Sequence, residues 1–161
     1  METIYLSLGS NMGNRAENIA RATDGLGSHG VRVVRQSSLY ETEPVDVHDQ
    51  GWFLNCVVQA ETDLVPSPLM NALLEIERTL GRSRRVYRGP RTIDIDILLF
   101  GSLVVSLPDL EIPHPRMTER RFVLAPFAEI AAGVRHPLTE KTIGELLHET
   151  RDRSEVRRKG P

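Results

Sequence analysis

Apolar and polar side chains alternate over residues 3–8 (TIYLSL), the two-residue period of a strand with one buried face. The run ends in Gly9-Ser10-Asn11-Met12-Gly13, a stretch of turn-forming residues. Asn14 and Glu17 then stand at capping-box spacing, and Ile19 and Leu26 mark the buried side of the helix they predict. Residues 31–43 read as one long β-type segment and residues 53–61 as another, with a polar loop at 44–52 between them. The next helix is the clearest pattern. Ser67 is its predicted cap, Pro68 lies in its first turn, Leu69, Leu73, Ile76 and Leu80 repeat along one face, and Gly81 stops it. After an arginine-rich loop, residues 92–100 predict a strand and 103–107 its hairpin partner. Residues 122–130 and 143–148 predict helices, and 151–161 a charged, frayed tail. No repeat or linker divides the chain, so residues 1–161 are expected to form a single domain. The order β-α-β-β-α-β predicts an α+β fold of the ferredoxin-like kind: a split β-α-β antiparallel sheet with helices on one face, plus a C-terminal helical extension.

Composition narrows the function classes. The formal charge of −2, from 20 Lys+Arg against 22 Asp+Glu, argues against a nucleic-acid coat protein, whose footprint is a strong basic excess. A single cysteine, Cys56, makes neither an internal disulfide nor a zinc cluster and points to a reducing cytoplasm. The first residues lack the basic start and long apolar stretch of a signal peptide, and the longest strongly apolar run, 97–100, is too short to cross a bilayer. A cytoplasmic protein without nucleic-acid or membrane partners is expected. Of the 20 basic residues 18 are Arg, a choice that suits forked phosphate recognition but that a GC-rich genome would also produce.

The near-zero total hides a local separation. Between Gln36 and Glu77 there is no Lys or Arg but there are eight acids, whereas between Arg78 and Ile93 there is no acid but there are six arginines: Arg78, Arg82, Arg84, Arg85, Arg88 and Arg91. Crowded like charges cost free energy unless opposite charge lies among them, so the loop, which also carries Gly81, Gly89 and Pro90, reads as a polyanion site. A solvated surface loop is the simpler account. Directly afterwards, Asp94 and Asp96 share one face of a predicted strand while the isoleucines at 93, 95 and 97 face the core. Two strand steps place their Cα atoms roughly 6.5 Å apart. Paired hard oxygens suit Mg²⁺, which takes one or two carboxylates together with waters and substrate phosphates. The alternative is a pair of solvent-facing aspartates bonded to arginine, although Asp is a poor strand former. No P-loop or kinase-type glycine loop occurs, so phosphate binding falls to Arg and metal. At this level an RNA-binding ferredoxin-like module, a metal-dependent nuclease and a nucleotidyl transferase stand beside a nucleoside-polyphosphate enzyme. The RNA module is disfavoured by aspartates where stacking aromatics belong.

The stretch Gly89-Pro90-Arg91-Thr92-Ile93-Asp94-Ile95-Asp96-Ile97-Leu98 resembles the signature of the 6-hydroxymethyl-7,8-dihydropterin pyrophosphokinase family. Leu8-Gly9-Ser10-Asn11, Tyr40-Glu41-Thr42-Glu43-Pro44, Phe53-Leu54-Asn55, Ile112-Pro113-His114-Pro115-Arg116-Met117 and Arg120-Arg121-Phe122 resemble further family segments in order. The resemblance implies an ATP-dependent diphosphotransferase of folate biosynthesis that moves pyrophosphate from ATP to the pterin hydroxymethyl group and releases AMP. It implies two Mg²⁺ ions held by Asp94 and Asp96, and a catalytic set of Arg82, Arg91, Asp94 and Asp96. ATP is implied to contact Glu77, Arg84, Arg88, Arg91, His114 and Arg120. The pterin is implied to meet Gly9, Thr42, Pro44, Val45, Phe53, Asn55 and Phe122, with its ring between the two phenylalanines. A monomer is implied as well. Two positions depart from the pattern: Tyr87-Arg88 exchanges the usual order of base and aromatic, and Leu74 stands where some relatives place a polar residue facing the adenine.

Overall fold

A computed structural model describes residues 1–44, 51–81 and 92–159. The expected α+β fold is observed. In chain order the elements are β1 (Glu2–Ser10), α1 (Arg15–Ser28), β2 (Val31–Gln36), β3 (Tyr40–Thr42), β4 (Phe53–Thr62), α2 (Pro66–Thr79), β5 (Asp94–Phe100), β6 (Val105–Leu107), β7 (Leu110–Ile112), α3 (Arg121–Ala131), α4 (Ile143–Glu149) and β8 (Val156–Arg158). The main sheet runs β5-β1-β4-β3-β8, with β2 also on β4, and every pairing is antiparallel.

Helices cover both faces of this sheet rather than one. Ile4, Leu6 and Leu8 of β1 and Leu54, Cys56, Val58 and Ala60 of β4 point to α1 and α2, whose Ile19, Ala22, Leu26, Leu69, Leu73 and Ile76 close that core. Tyr5, Val57, Leu98 and Leu99 point the other way and are covered by Val123, Leu124 and Phe127 of α3 and by Ile143 and Leu146 of α4. The reason lies in the central strands, which carry apolar side chains on both faces and cannot leave either in water. The ladder between β1 and β5 slips by one residue between Tyr5 and Leu6, which places the consecutive Leu98 and Leu99 on the α3 side.

Four boundaries differ from the expectation, each for a local reason. The β-type segment at 31–43 is two strands, β2 and β3, because Ser37 interrupts the ladder: its hydroxyl accepts the Val57 N–H at 2.9 Å and its own N–H donates to the Val57 carbonyl at 2.9 Å. Helix α2 starts at Pro66 with Val65 as its cap and no side-chain cap bond, so Ser67 is inside it; proline at the first position gives up an N–H that would be unpaired anyway. Strand β6 pairs with β7, not β5, since the tight turn between Leu107 and Leu110 offers a nearer partner. Finally, the C-terminal segment is not a frayed tail. Val156–Arg158 adds strand β8 to the outer edge of β3, and the Lys159 N–H donates to the Leu39 carbonyl at 2.8 Å. That edge carries unpaired backbone groups and binds a further strand readily.

The ties that position the site are one local cap and two side-chain anchors. Asn14 accepts the Glu17 N–H as the start of α1, and buried Asn18 donates to Ser10 Oγ at 3.2 Å and the Met12 carbonyl at 2.8 Å, tying the turn after β1 to that helix. Helix α3 is docked on β3 through Glu129, which accepts from Tyr40 Oη at 2.7 Å and from the Ser38 N–H at 3.0 Å. Among the described residues no helix is long and apolar enough to cross a membrane. Ser37→Ala should lower the unfolding free energy by about 1–3 kcal/mol in urea titration, because the buried Val57 N–H is left without its acceptor.

Candidate active site

Strand β5 is an edge strand, and its alternation is what the sequence requires: Ile95 and Ile97 are buried in the α1–α2 core while Asp94 and Asp96 stand half-buried on the opposite face. Residues directly opposed in an antiparallel ladder share a face. Asp94 opposes Gly9, Gly9 opposes Asn55 and Asn55 opposes Tyr40, so one row crosses four strands; Asp96, Ser7 and Val57 form the next. Gly9 lies in the middle of the first row, and the Asn55 amide lies over it. A Cβ at Gly9 would clash with Asn55 Oδ1 and stand 3.6 Å from the Phe53 ring. Asn55 is buried, and its Nδ2 donates to Thr42 Oγ1 at 2.5 Å. Thr42 opposes Phe53 in the next register position, with buried Pro44 two residues on.

Glu77, near the end of α2, is 3% exposed, and its carboxylate accepts the Ile95 N–H at 2.7 Å. It therefore fixes the peptide between the two aspartates at the outer edge of β5. A cleft of about 370 Å³ opens beside it, lined by Leu74, Glu77, Asp94, Asp96 and His114 together with the β6–β7 hairpin. His114 is anchored by its N–H to the Leu98 carbonyl at 3.0 Å. Burial, then the positive charges of Arg120 and Arg116, outweigh the pull of Asp94 and press its imidazole pKa down to about 4. The neutral ring accepts the Arg116 N–H on Nδ1 at 3.2 Å, which leaves the proton on Nε2. Arg120 stacks its guanidinium over the Phe122 ring, 5.5 Å from the centroid.

The structure thus gathers Gly9, Thr42, Pro44, Phe53 and Asn55 on the sheet, and Glu77, Asp94, Asp96 and His114 around the cleft, with Arg120 and Phe122 at the start of α3. Val45, Arg82, Arg84, Arg88 and Arg91 lie outside the described residues. Among the described residues no three His, Cys, Asp or Glu side chains come together as a cation site. Asp94 and Asp96 alone fit a cation such as Mg²⁺, which completes its shell with water and phosphate oxygens. Cys56 is fully buried, and burial pushes its thiol up to about 12, so it is no nucleophile. One structural contributor escaped the sequence reading. Arg15 forks onto Glu41 at 2.9 and 2.7 Å and donates to the Trp52 carbonyl at 3.0 Å, holding β3 against the start of β4. The partners are 26 and 37 residues away, and no local pattern announces them.

A family model described as 7,8-dihydro-6-hydroxymethylpterin-pyrophosphokinase (HPPK) matches residues 5–132. A Bacillus subtilis protein named 2-amino-4-hydroxy-6-hydroxymethyldihydropteridine pyrophosphokinase is 47% identical over 136 residues, covering 84% of this chain and 81% of its own length. The folic acid synthesis protein fol1 of Pneumocystis carinii is 40% identical over 94% of this chain, which spans only 20% of that longer protein. The crystal structure of wild-type Plasmodium falciparum HPPK-DHPS superimposes with a TM-score of 0.72 over 92% of this chain and 44% of that one; at 16% identity the likeness is one of fold.

Glu77→Ala strands the buried Ile95 N–H and should cost about 1–3 kcal/mol of stability, with faster exchange of the Ile95 amide, while Glu77→Gln keeps an acceptor and recovers most of both. For His114, NMR titration should find a neutral imidazole from pH 8 down to 5. Its folded pKa lies below its unfolded value, so its share of stability is complete above about pH 6.5 and is lost as pH falls through about 4.

Proposed function

The chain belongs to the 7,8-dihydro-6-hydroxymethylpterin-pyrophosphokinase family, and from that membership we propose that it transfers pyrophosphate from ATP to the hydroxymethyl group of 6-hydroxymethyl-7,8-dihydropterin, giving AMP and the pterin diphosphate in folate synthesis. The observation that carries this reading is the row Asp94–Gly9–Asn55, which puts a carboxylate for phosphate-bound metal and an amide for a heterocycle edge on either side of a residue with no side chain of its own. The hydroxymethyl oxygen attacks the β-phosphorus, the bond from that phosphorus to the α–β bridging oxygen breaks, and AMP leaves. Such a transfer needs positioning and charge neutralisation rather than a side-chain nucleophile.

Asn55 and Thr42 read the polar edge of the pterin, with Pro44 and Val45 completing that edge and the ring lying between Phe53 and Phe122. Gly9 leaves room for the Asn55 amide against β1, and the hydroxymethyl group points from there toward the Asp94 side. The neutral Nε2–H of His114 and the guanidinium of Arg120 donate to phosphate oxygens, and Arg82, Arg84, Arg88 and Arg91 supply the remaining positive charge. The nucleoside lies against Leu74 and Glu77. Asp94 and Asp96 hold magnesium, in this reading two ions; bound there, it neutralises triphosphate oxygens and favours charge build-up on the leaving phosphate. A monomer as the catalytic unit belongs to the same reading.

The test is to incubate the protein with Mg²⁺, ATP and 6-hydroxymethyl-7,8-dihydropterin and to separate the nucleotides. AMP should form only when the pterin is present, and chelation of Mg²⁺ should stop it. Asp94→Ala and Asp96→Ala should each lower turnover at least about 100-fold with a near-unchanged melting temperature. ADP or free pyrophosphate as the product, or full turnover in either variant, overturns the reading.

A further inference from the structure

Helix α3 begins without a cap of its own. Arg120, at its cap position, makes no side-chain cap bond, and the first turn holds no acidic residue. The four leading N–H groups of a helix and its positive dipole end call for an acceptor, best a negative one. That acceptor arrives from the far end of the chain: the Arg121 N–H donates to Asp152 Oδ2 at 2.8 Å.

Asp152 is itself held in place. Its Oδ1 accepts the Ser154 N–H at 2.9 Å and the Ser154 hydroxyl at 2.5 Å, and its own N–H donates to Thr150 Oγ1 at 3.2 Å. Arg121 Nη1 returns to the Ser154 carbonyl at 3.2 Å, so two straps join the start of α3 to this segment. Burial raises the Asp152 pKa, but the bonds from Ser154 and Arg121 outweigh it and keep the carboxylate ionised. The same segment then grips the other wall of the site. The Glu43 N–H donates to the Glu155 carbonyl at 3.2 Å, the Glu155 N–H to Glu43 Oε1 at 2.7 Å, and Val156 opposes Thr42 in the β3–β8 ladder. Thr150, Asp152, Ser154, Glu155 and Val156 all lie beyond residue 132, where the family match ends.

We propose that Asp152 is a positioning residue for pyrophosphoryl transfer: by capping Arg121 it sets the two side chains on either side of that amide, Arg120 against the phosphates and Phe122 against the pterin ring. The inference rests on the function proposed above. Arg120 and Phe122 already act as one unit, guanidinium over ring at 5.5 Å, so a shift of the first turn of α3 moves both. A displacement of about 1 Å in a positioning group is enough to lower turnover by up to about 100-fold.

The experiment compares the full chain with Asp152→Ala, Asp152→Asn and Ser154→Ala. It measures kcat and the KM for the pterin, pterin binding by fluorescence in the presence of a non-hydrolysable ATP analogue, amide exchange at Arg121, and melting temperature. Asp152→Ala should lower kcat/KM for the pterin at least about tenfold, weaken pterin binding in parallel and speed exchange at Arg121. Asp152→Asn, which retains an acceptor, should recover activity to within about threefold of wild type. Ser154→Ala removes one of the bonds that orient the carboxylate and should raise the pterin KM about twofold to threefold at nearly unchanged melting temperature, which keeps the proposal testable if Asp152→Ala does not fold. A folded Asp152→Ala with wild-type kcat, KM and pterin binding and only a lower melting temperature overturns the proposal, as does an unchanged KM in Ser154→Ala. If the wild-type chain releases no AMP with the pterin, the function fails instead, and faster Arg121 exchange in Asp152→Ala still reports the cap by itself.

Discussion

The site depends on one constraint, that two carboxylates must be held side by side on a strand whose backbone cannot yield. Asp94 and Asp96 repel each other and have low strand propensity, so β5 forms only because its other face is worth more. Ile95 and Ile97, buried among the α1 and α2 side chains, contribute about 1.5–3 kcal/mol each, enough to offset both effects. An edge strand has the further difficulty of an open row of N–H groups on its outer side. Glu77 accepts one of them, at the peptide between the two aspartates, and so makes the arrangement stiff where stiffness matters. A third acid near two others appears at first to worsen the electrostatics. It is tolerated because its role is to accept a backbone N–H at the end of a helix that packs against the strand.

The second determinant is how much of the sheet α3 covers. The central strands are apolar on both faces, and α3 packs on the far side through Phe127, whose ring lies 4.8 Å from that of Tyr5. Beyond this contact the rows led by Asp94 and Asp96 turn from apolar to polar, and Gly9 removes the side chain that would otherwise fill the middle of the first one. The helix begins where the hydrophobic cover ends. Its first residues, Arg120 and Phe122, therefore stand at the margin of the core with one side chain in reach of charge and the other of an aromatic face. The polar rows are the uncovered remainder of a two-sided sheet, which explains why residues of β1, β3, β4 and β5 line up beside the start of α3 although these elements are scattered along the sequence.

Much of this was legible in the chain. The strand in TIYLSL, the Asn14 cap and the division of residues 94–97 into inward isoleucines and outward aspartates are local, and the structure reproduces them, although β1 is buried on both faces rather than one. What was not legible depends on partners distant in sequence. Nothing in residues 151–161 says that Val156–Arg158 will find the free edge of β3, because charged residues in a short run suit a tail and an edge strand equally well. The break at Ser37 is visible only once Val57 lies opposite, and the choice of β7 over β5 as partner for β6 follows from a turn that alternation does not encode. The site divides in the same way. Asp94 and Asp96 declare themselves by spacing, whereas the bond from Glu77 to Ile95 and the fork of Arg15 on Glu41 require the folded sheet.

His114 shows how burial and neighbouring charge settle the state of a titratable ring at the site. It stands between Asp94 on one side and Arg120 and Arg116 on the other, and the influences of these charges on it run in opposite directions. Were it an imidazolium, it would add a third positive charge to the arginine side and a competing partner for the Asp94 carboxylate. Burial removes that option, and the Arg116 N–H on Nδ1 fixes which nitrogen keeps the proton. What remains is a donor with direction and no net charge, placed where acidic and basic groups meet. In the proposed reaction the charge of the triphosphate redistributes as its pyrophosphoryl group passes to the pterin and AMP leaves, and full charges on flexible side chains follow that change by moving. A neutral N–H on a ring anchored through its backbone to β5 stays where it is, and in the proposed reaction it would orient a phosphate oxygen without adding a charge.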